Sequence, residues 1–122
     1  MSAFSDLETT SPTPIWGDTV AVRAVHGSEL TLGVVELAPN AVVPEHKHVN
    51  EQLGMVVQGV VQFRIGDETR EVGPGSMWRI PSMTPHEVHA GPQGAVLIDV
   101  FAPPRADWGD IEDDPPRRPF WP

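Results

Sequence analysis

Between Ile15 and Phe101 the chain consists of short β-branched runs, "TVAVRAV", "ELTLGVVEL", "GMVVQG", "VVQFRI", "SMWRI", "EVHA" and "AVLIDVF". Clusters of turn-forming residues cut them apart at His26-Gly27-Ser28, Pro39-Asn40, Gly66-Asp67-Glu68, Gly73-Pro74-Gly75 and Gly91-Pro92. Runs this short and this often interrupted leave no room for long helices, and predict an all-β sandwich or small barrel. The 14 prolines and 11 glycines agree with that, and 122 residues suit one domain with one core.

The flanks have a different texture. Residues 1–14 are rich in Ser, Thr and Pro without hydrophobic period, which predicts a flexible arm or a segment draped over a neighbour. Residues 15–104 carry the strands. Residues 105–122 form a Pro-rich acidic tail in which "RADWGDIE" has room for one helical turn and "PFWP" offers two aromatics for docking.

Charge and composition narrow the possible partners. With 17 acidic against 8 basic residues the net charge is -9, which repels polyphosphate backbones and anionic lipid headgroups. The expectation is therefore no nucleic acid and no membrane. A small anionic metabolite remains open, because part of the acidic excess sits in the tail. Without cysteine, any metal must be held by nitrogen and oxygen. The N-terminus lacks the basic and apolar regions of a signal peptide, which predicts a cytoplasmic protein.

The segment "PEHKHVNEQ" carries the chemistry. On a strand, His46 and His48 project to one side and Lys47 to the other, so two imidazoles can reach one ion. Alone, the spacing fits a solvated surface pair equally well. Gln52 follows four residues after His48, and its amide oxygen is a possible third donor. Glu51, its neighbour, points to the opposite face. His86 follows a proline-bounded turn that aims it toward the first pair, whereas His89 points to the other side of its strand and His26 sits at a turn.

Taken together these residues resemble the cupin family. Asn40, His46, His48, Gln52 and Gly59 fall at the spacings of its first motif, and Gly75, Pro81 and His86 at those of its second. Asn40 replaces the first glycine, Met83 or Thr84 the second-motif glycine, and Ala90 the closing asparagine. The resemblance, over about Leu37 to Phe101, implies a single-domain jelly-roll β-barrel binding one divalent ion. Zinc, nickel, iron and manganese all suit such donors. Gln52 stands where the family has glutamate, which leaves the ion its full charge and favours Lewis-acid over redox chemistry.

A narrower resemblance joins "HKHVNEQ" to "DVFAPPRADW". Both are similar to the pectin-degradation group of cupins, whose members open 4,5-unsaturated monouronates into linear keto forms. That resemblance implies His46, His48, Gln52 and His86 as metal ligands, and Asp99, Phe101 and Arg105 as catalytic residues. Asp99 would move a proton, Arg105 hold the uronate carboxylate and Phe101 wall the ring. From the residues alone, an Asp99 to Arg105 salt bridge closing the barrel is the alternative. Arg64, Arg79 and Trp78 are lesser candidates for the pocket lining, Trp78 suiting core packing better. Small cupins are commonly homodimers, so a homodimer is implied. The rival readings are a cupin dioxygenase, a polyketide-cyclase-like enzyme and a non-enzymatic small-molecule-binding protein.

Overall fold

The computed structural model describes residues 2–122. Eight strands, β1 (Thr13–Trp16), β2 (Val20–His26), β3 (Thr31–Leu37), β4 (Val42–His46), β5 (Glu51–Ile65), β6 (Glu68–Val72), β7 (Met77–Ile80) and β8 (His86–Ala102), are accompanied only by 3-10 turns at Leu7–Thr9 and Ala106–Asp110. The architecture is mostly β, as the interrupted runs predict. Pairing follows the order β1-β2-β3-β8-β5-β6, with β4 on β8 and β7 on β5, and all pairs are antiparallel.

Two long strands organise the rest. The first half of β5 pairs with the second half of β8 from Glu51↔Ala102 to Gly59↔Ala95, and its second half pairs with the start of β8 from Val61↔Ala90 to Ile65↔His86. Each long strand therefore serves two sets. One is β1, β2, β3 and β7; the other is β4 and β6.

The switch between sets lies at Gly59, where the single residue Val60 of β5 lies opposite four residues of β8, 91–94. Gly59 has φ +83, and a Cβ there would strike the Gly94 carbonyl, so only glycine lets the strands cross this closely. The punctuation at Gly59 and Gly91-Pro92 thus marks excursions within continuous strands. It does not end them.

Alternation puts Leu97 and Phe101 of β8 on the same face as Val56 and Phe63 of β5, where they meet Val20 and Val22 of β2 and Val35 and Leu37 of β3 in one buried cluster. Each such side chain contributes about 1.5–3 kcal/mol when fully buried. The two chain ends fold over the opposite face of β2 and β3. There the buried Arg23 pairs with Glu36 at 3.3 Å and donates to the carbonyls of Leu7, Thr10 and Arg117, while Phe120 N–H donates to Glu36. Trp108, in the turn after Arg105, is buried edge-on against Phe101 at 5.1 Å.

Candidate metal centre

His46 and His86 face each other across the β4–β8 pair, with ring centroids 4.1 Å apart. Pro44, which lacks an N–H, sits within the slip of register between Val43 and His46 on this outer strand. His48 does not lie on the strand at all, because β4 ends at His46. Its loop holds it instead. The His48 carbonyl accepts the Met83 N–H at 2.8 Å, and the buried Asn50 side chain donates to the Pro103 carbonyl.

Met83 and Asn40 are the non-glycine residues with positive φ among the described residues, at +62° and +61°. Both stand where the two motifs have glycine or come nearest to it. Asparagine tolerates that backbone, while methionine adopts it at a cost of about 1–2 kcal/mol.

The polarity of the cluster is set by its hydrogen bonds. Each imidazole Nδ1 faces a nearby carbonyl: His46 that of Pro44 at 2.9 Å, His48 that of Asn50 at 3.0 Å and His86 that of Thr84 at 2.8 Å. A carbonyl only accepts, so each Nδ1 carries the proton and each Nε2 presents a lone pair. His86 Nε2 is buried and has no partner among the described residues.

Gln52 fits the same pattern. Its Nε2 donates to Asp99 Oδ1 at 2.9 Å, which turns Oε1 toward His48 Nε2 at 3.1 Å. Two lone-pair donors at this distance with no proton between them suit a bridging cation. The ligating atoms of His46, His48 and His86 all lie within 4.8 Å of one another. Three neutral imidazoles with a converging amide oxygen are a donor set that suits a divalent transition metal.

Asp99 and Phe101, on the inner face of β8, and Arg105 line the same cavity of about 360 Å³ as the histidines. Asp99 is only 3% exposed, and accepts from Trp78 Nε1 at 3.0 Å as well as from Gln52. Burial raises its pKa to about 6, against the opposing pull of these two donors. Glutamine at position 52 has a reason here: a glutamate would set a second carboxylate against a buried one. Arg105 does not pair with Asp99. It grips Asp107 through two contacts, at 3.1 and 3.0 Å, and its guanidinium lies 4.9 Å from the Phe101 ring centroid and 4.6 Å from that of Trp108.

Asp107 and Trp108 carry no site signal in the sequence; "RADW" reads as tail until the 3-10 turn folds it against the cavity, which both residues line. Lys47 also reaches the cavity, because the chain has left its strand there. Arg64 pairs with Glu45 and Glu87, and His89 with Glu87, all away from the cavity. His26 ends β2 and bonds Thr31.

Burial lowers the pKa of all three cluster histidines, that of His86 to about 4. In the metal-free protein this has a signed consequence. Between the unfolded value of 6.5 and about 4 the unfolded chain binds the His86 proton first, so stability falls as pH falls. Asp99 acts oppositely, since its value of about 6 exceeds the unfolded 3.8 and the fold takes up its proton first. Asp99→Asn removes that compensation, so metal-free Asp99→Asn should lose stability more steeply than wild type as pH falls from about 6 to about 4. Urea unfolding across the window checks this; parallel slopes would contradict it.

Comparison with known proteins identifies the family and the fold. The family described as "Cupin domain" matches residues 33–101. Pectin degradation protein KdgF of Dickeya dadantii is 32% identical over 107 residues, 86% of this chain and 96% of that protein. The structure of KdgF from Halomonas sp. superposes with a TM-score of 0.79 at 26% identity, covering 88% of this chain and 98% of that one. Oxalate decarboxylase OxdC of Bacillus subtilis is 30% identical over 105 residues, 81% of this chain but only 27% of that longer protein. The chain belongs to the cupin family, among the small cupins similar to pectin degradation protein KdgF.

Proposed function

We propose that this protein is a metal-dependent isomerase that opens a small carbohydrate-derived acid, a 4,5-unsaturated monouronate, into its linear keto form. The observation that carries the proposal is the junction at Gln52, whose amide oxygen turns to the histidine cluster and whose nitrogen holds Asp99. An ion-binding cluster and a proton-transfer group thereby share one cavity.

The reaction needs no electrons and no net water. The anomeric hydroxyl loses a proton as the ring C–O bond breaks, and the resulting enol takes a proton at C4 as it becomes a ketone. His46, His48, His86 and Gln52 would hold a divalent ion, which would supply polarisation of a sugar oxygen without changing oxidation state. Asp99 moves the proton, aided by a pKa raised toward neutrality. Arg105 binds the uronate carboxylate while its Asp107 contact and the Phe101 and Trp108 rings fix the guanidinium plane. The two strand sets form the halves of a jelly-roll barrel around this cavity.

Oxygen-free assays separate this reading from a dioxygenase. Chelated protein reloaded with zinc or nickel should consume the unsaturated uronate under anaerobic conditions, seen as loss of the conjugated alkene's ultraviolet absorbance. Activity only with iron and oxygen would overturn it.

The protein acts as a homodimer in this reading. Support comes from the outer face of the larger strand set, where Leu32, Val100 and Leu53 line up in register, beside Val34, Ile98, Met55 and Met77. Leu32, Leu53 and Met77 are 43%, 49% and 77% exposed, an apolar patch that a second copy would cover. Light scattering should give the mass of two chains for wild type and of one for Leu53→Glu. A wild-type mass of one chain would remove the dimer.

A further inference from the structure

We infer that Trp78 is a positioning residue for Asp99, acting across β5 through a gap that Gly54 leaves open. The inference rests on the proposed proton-transfer role of Asp99. In register, Gly54 of β5 lies between Trp78 of β7 on one side and Asp99 of β8 on the other. Any larger residue would block the path, because a Cβ at position 54 would collide with both Asp99 Oδ1 and Trp78 Nε1. With glycine there, the indole reaches over the strand and donates its N–H to Asp99 Oδ1 at 3.0 Å.

Gln52 donates to the same oxygen at 2.9 Å. Two donors on Oδ1 fix the carboxylate's rotation, and Oδ2, which accepts from no protein group among the described residues, is left for the transferred proton. The ring is held by Phe63, with centroids 4.8 Å apart. Trp78 does not line the cavity, so it acts through Asp99 and not on substrate. Its N–H is therefore an orienting contact of the kind that keeps a reactive group in its productive geometry.

The test replaces the N–H while sparing the ring. Trp78→Phe removes the donor but leaves a gap beside Phe63. Replacement of Trp78 by 3-benzothienylalanine keeps the bicyclic shape and exchanges only N–H for sulfur. Both are expected to lower kcat on the unsaturated uronate by about tenfold or more, with KM and metal content near wild type. Loss of stability with unchanged kcat would show a merely structural residue and overturn the inference.

A substrate-free readout accompanies the assay. The Trp78 indole N–H resonance, assigned by its loss in Trp78→Phe, should move upfield in Asp99→Ala; an unmoved resonance overturns the hydrogen bond itself. Wild-type turnover by Asp99→Ala would overturn the ring-opening role on which the inference stands. Wild-type kcat with the sulfur isostere, beside an inactive Asp99→Ala, would overturn the positioning role alone.

Discussion

Asp99→Ala is expected to lower turnover of a 4,5-unsaturated monouronate by about 10²–10⁴-fold, the range that a positioned acid or base contributes, while metal content stays at the wild-type level. Among the described residues no other carboxylate is placed to substitute for it. Asp107 also lines the cavity, but it is engaged by Arg105, which pulls its pKa down, and Glu36 is buried on the far face of β3 with Arg23. Asp99→Asn separates charge from shape, since it keeps the volume but places an amide against the Gln52 and Trp78 donors. Turnover by either variant at the wild-type rate, with normal metal content, would remove proton transfer from Asp99.

The second large effect falls on the metal. His86 is the most buried of the three imidazoles, and among the described residues its Nε2 is buried without a partner. His86→Ala should weaken zinc or nickel binding by more than the about 10–100-fold that removal of even an outer partner costs. A competition titration against a chelator reads this directly. Affinity equal to wild type would mean that the cluster does not bind the ion. The variant also creates a small cavity, so folding is checked alongside by circular dichroism.

Much of the site was legible because its residues carry strong local signals. H-x-H, a proline-bounded His86 and an aspartate on an apolar strand stand out without a structure. Strand boundaries were less legible. β1 and β4 contain Pro14 and Pro44, which argue against strands unless an edge tolerates them, and β6, "ETREV", is largely exposed and shows no alternation. Gly59 and Gly91 looked like ends because a glycine that allows a bulge and one that stops a strand are the same letter.

The supporting contacts were hidden for a different reason. Trp78 reaches Asp99 only because β7 pairs with β5 opposite Gly54, and Arg105 meets Asp107 only through the turn at Ala106–Asp110. Both depend on non-local register or a single helical turn. From the sequence, glutamine at position 52 is a means of leaving charge on the ion. The structure adds a second demand, a donor for the buried carboxylate, which an amide meets and a glutamate does not.

One measurement tests the central claim most directly: proton NMR of a 4,5-unsaturated monouronate incubated with purified protein whose bound metal has been quantified by elemental analysis. The account predicts that the C4 alkene proton signal disappears, methylene signals of the open-chain ketone replace it, and the rate collapses when the metal is chelated. An alkene signal decaying no faster than without protein, in a sample holding one metal ion per chain, would contradict it.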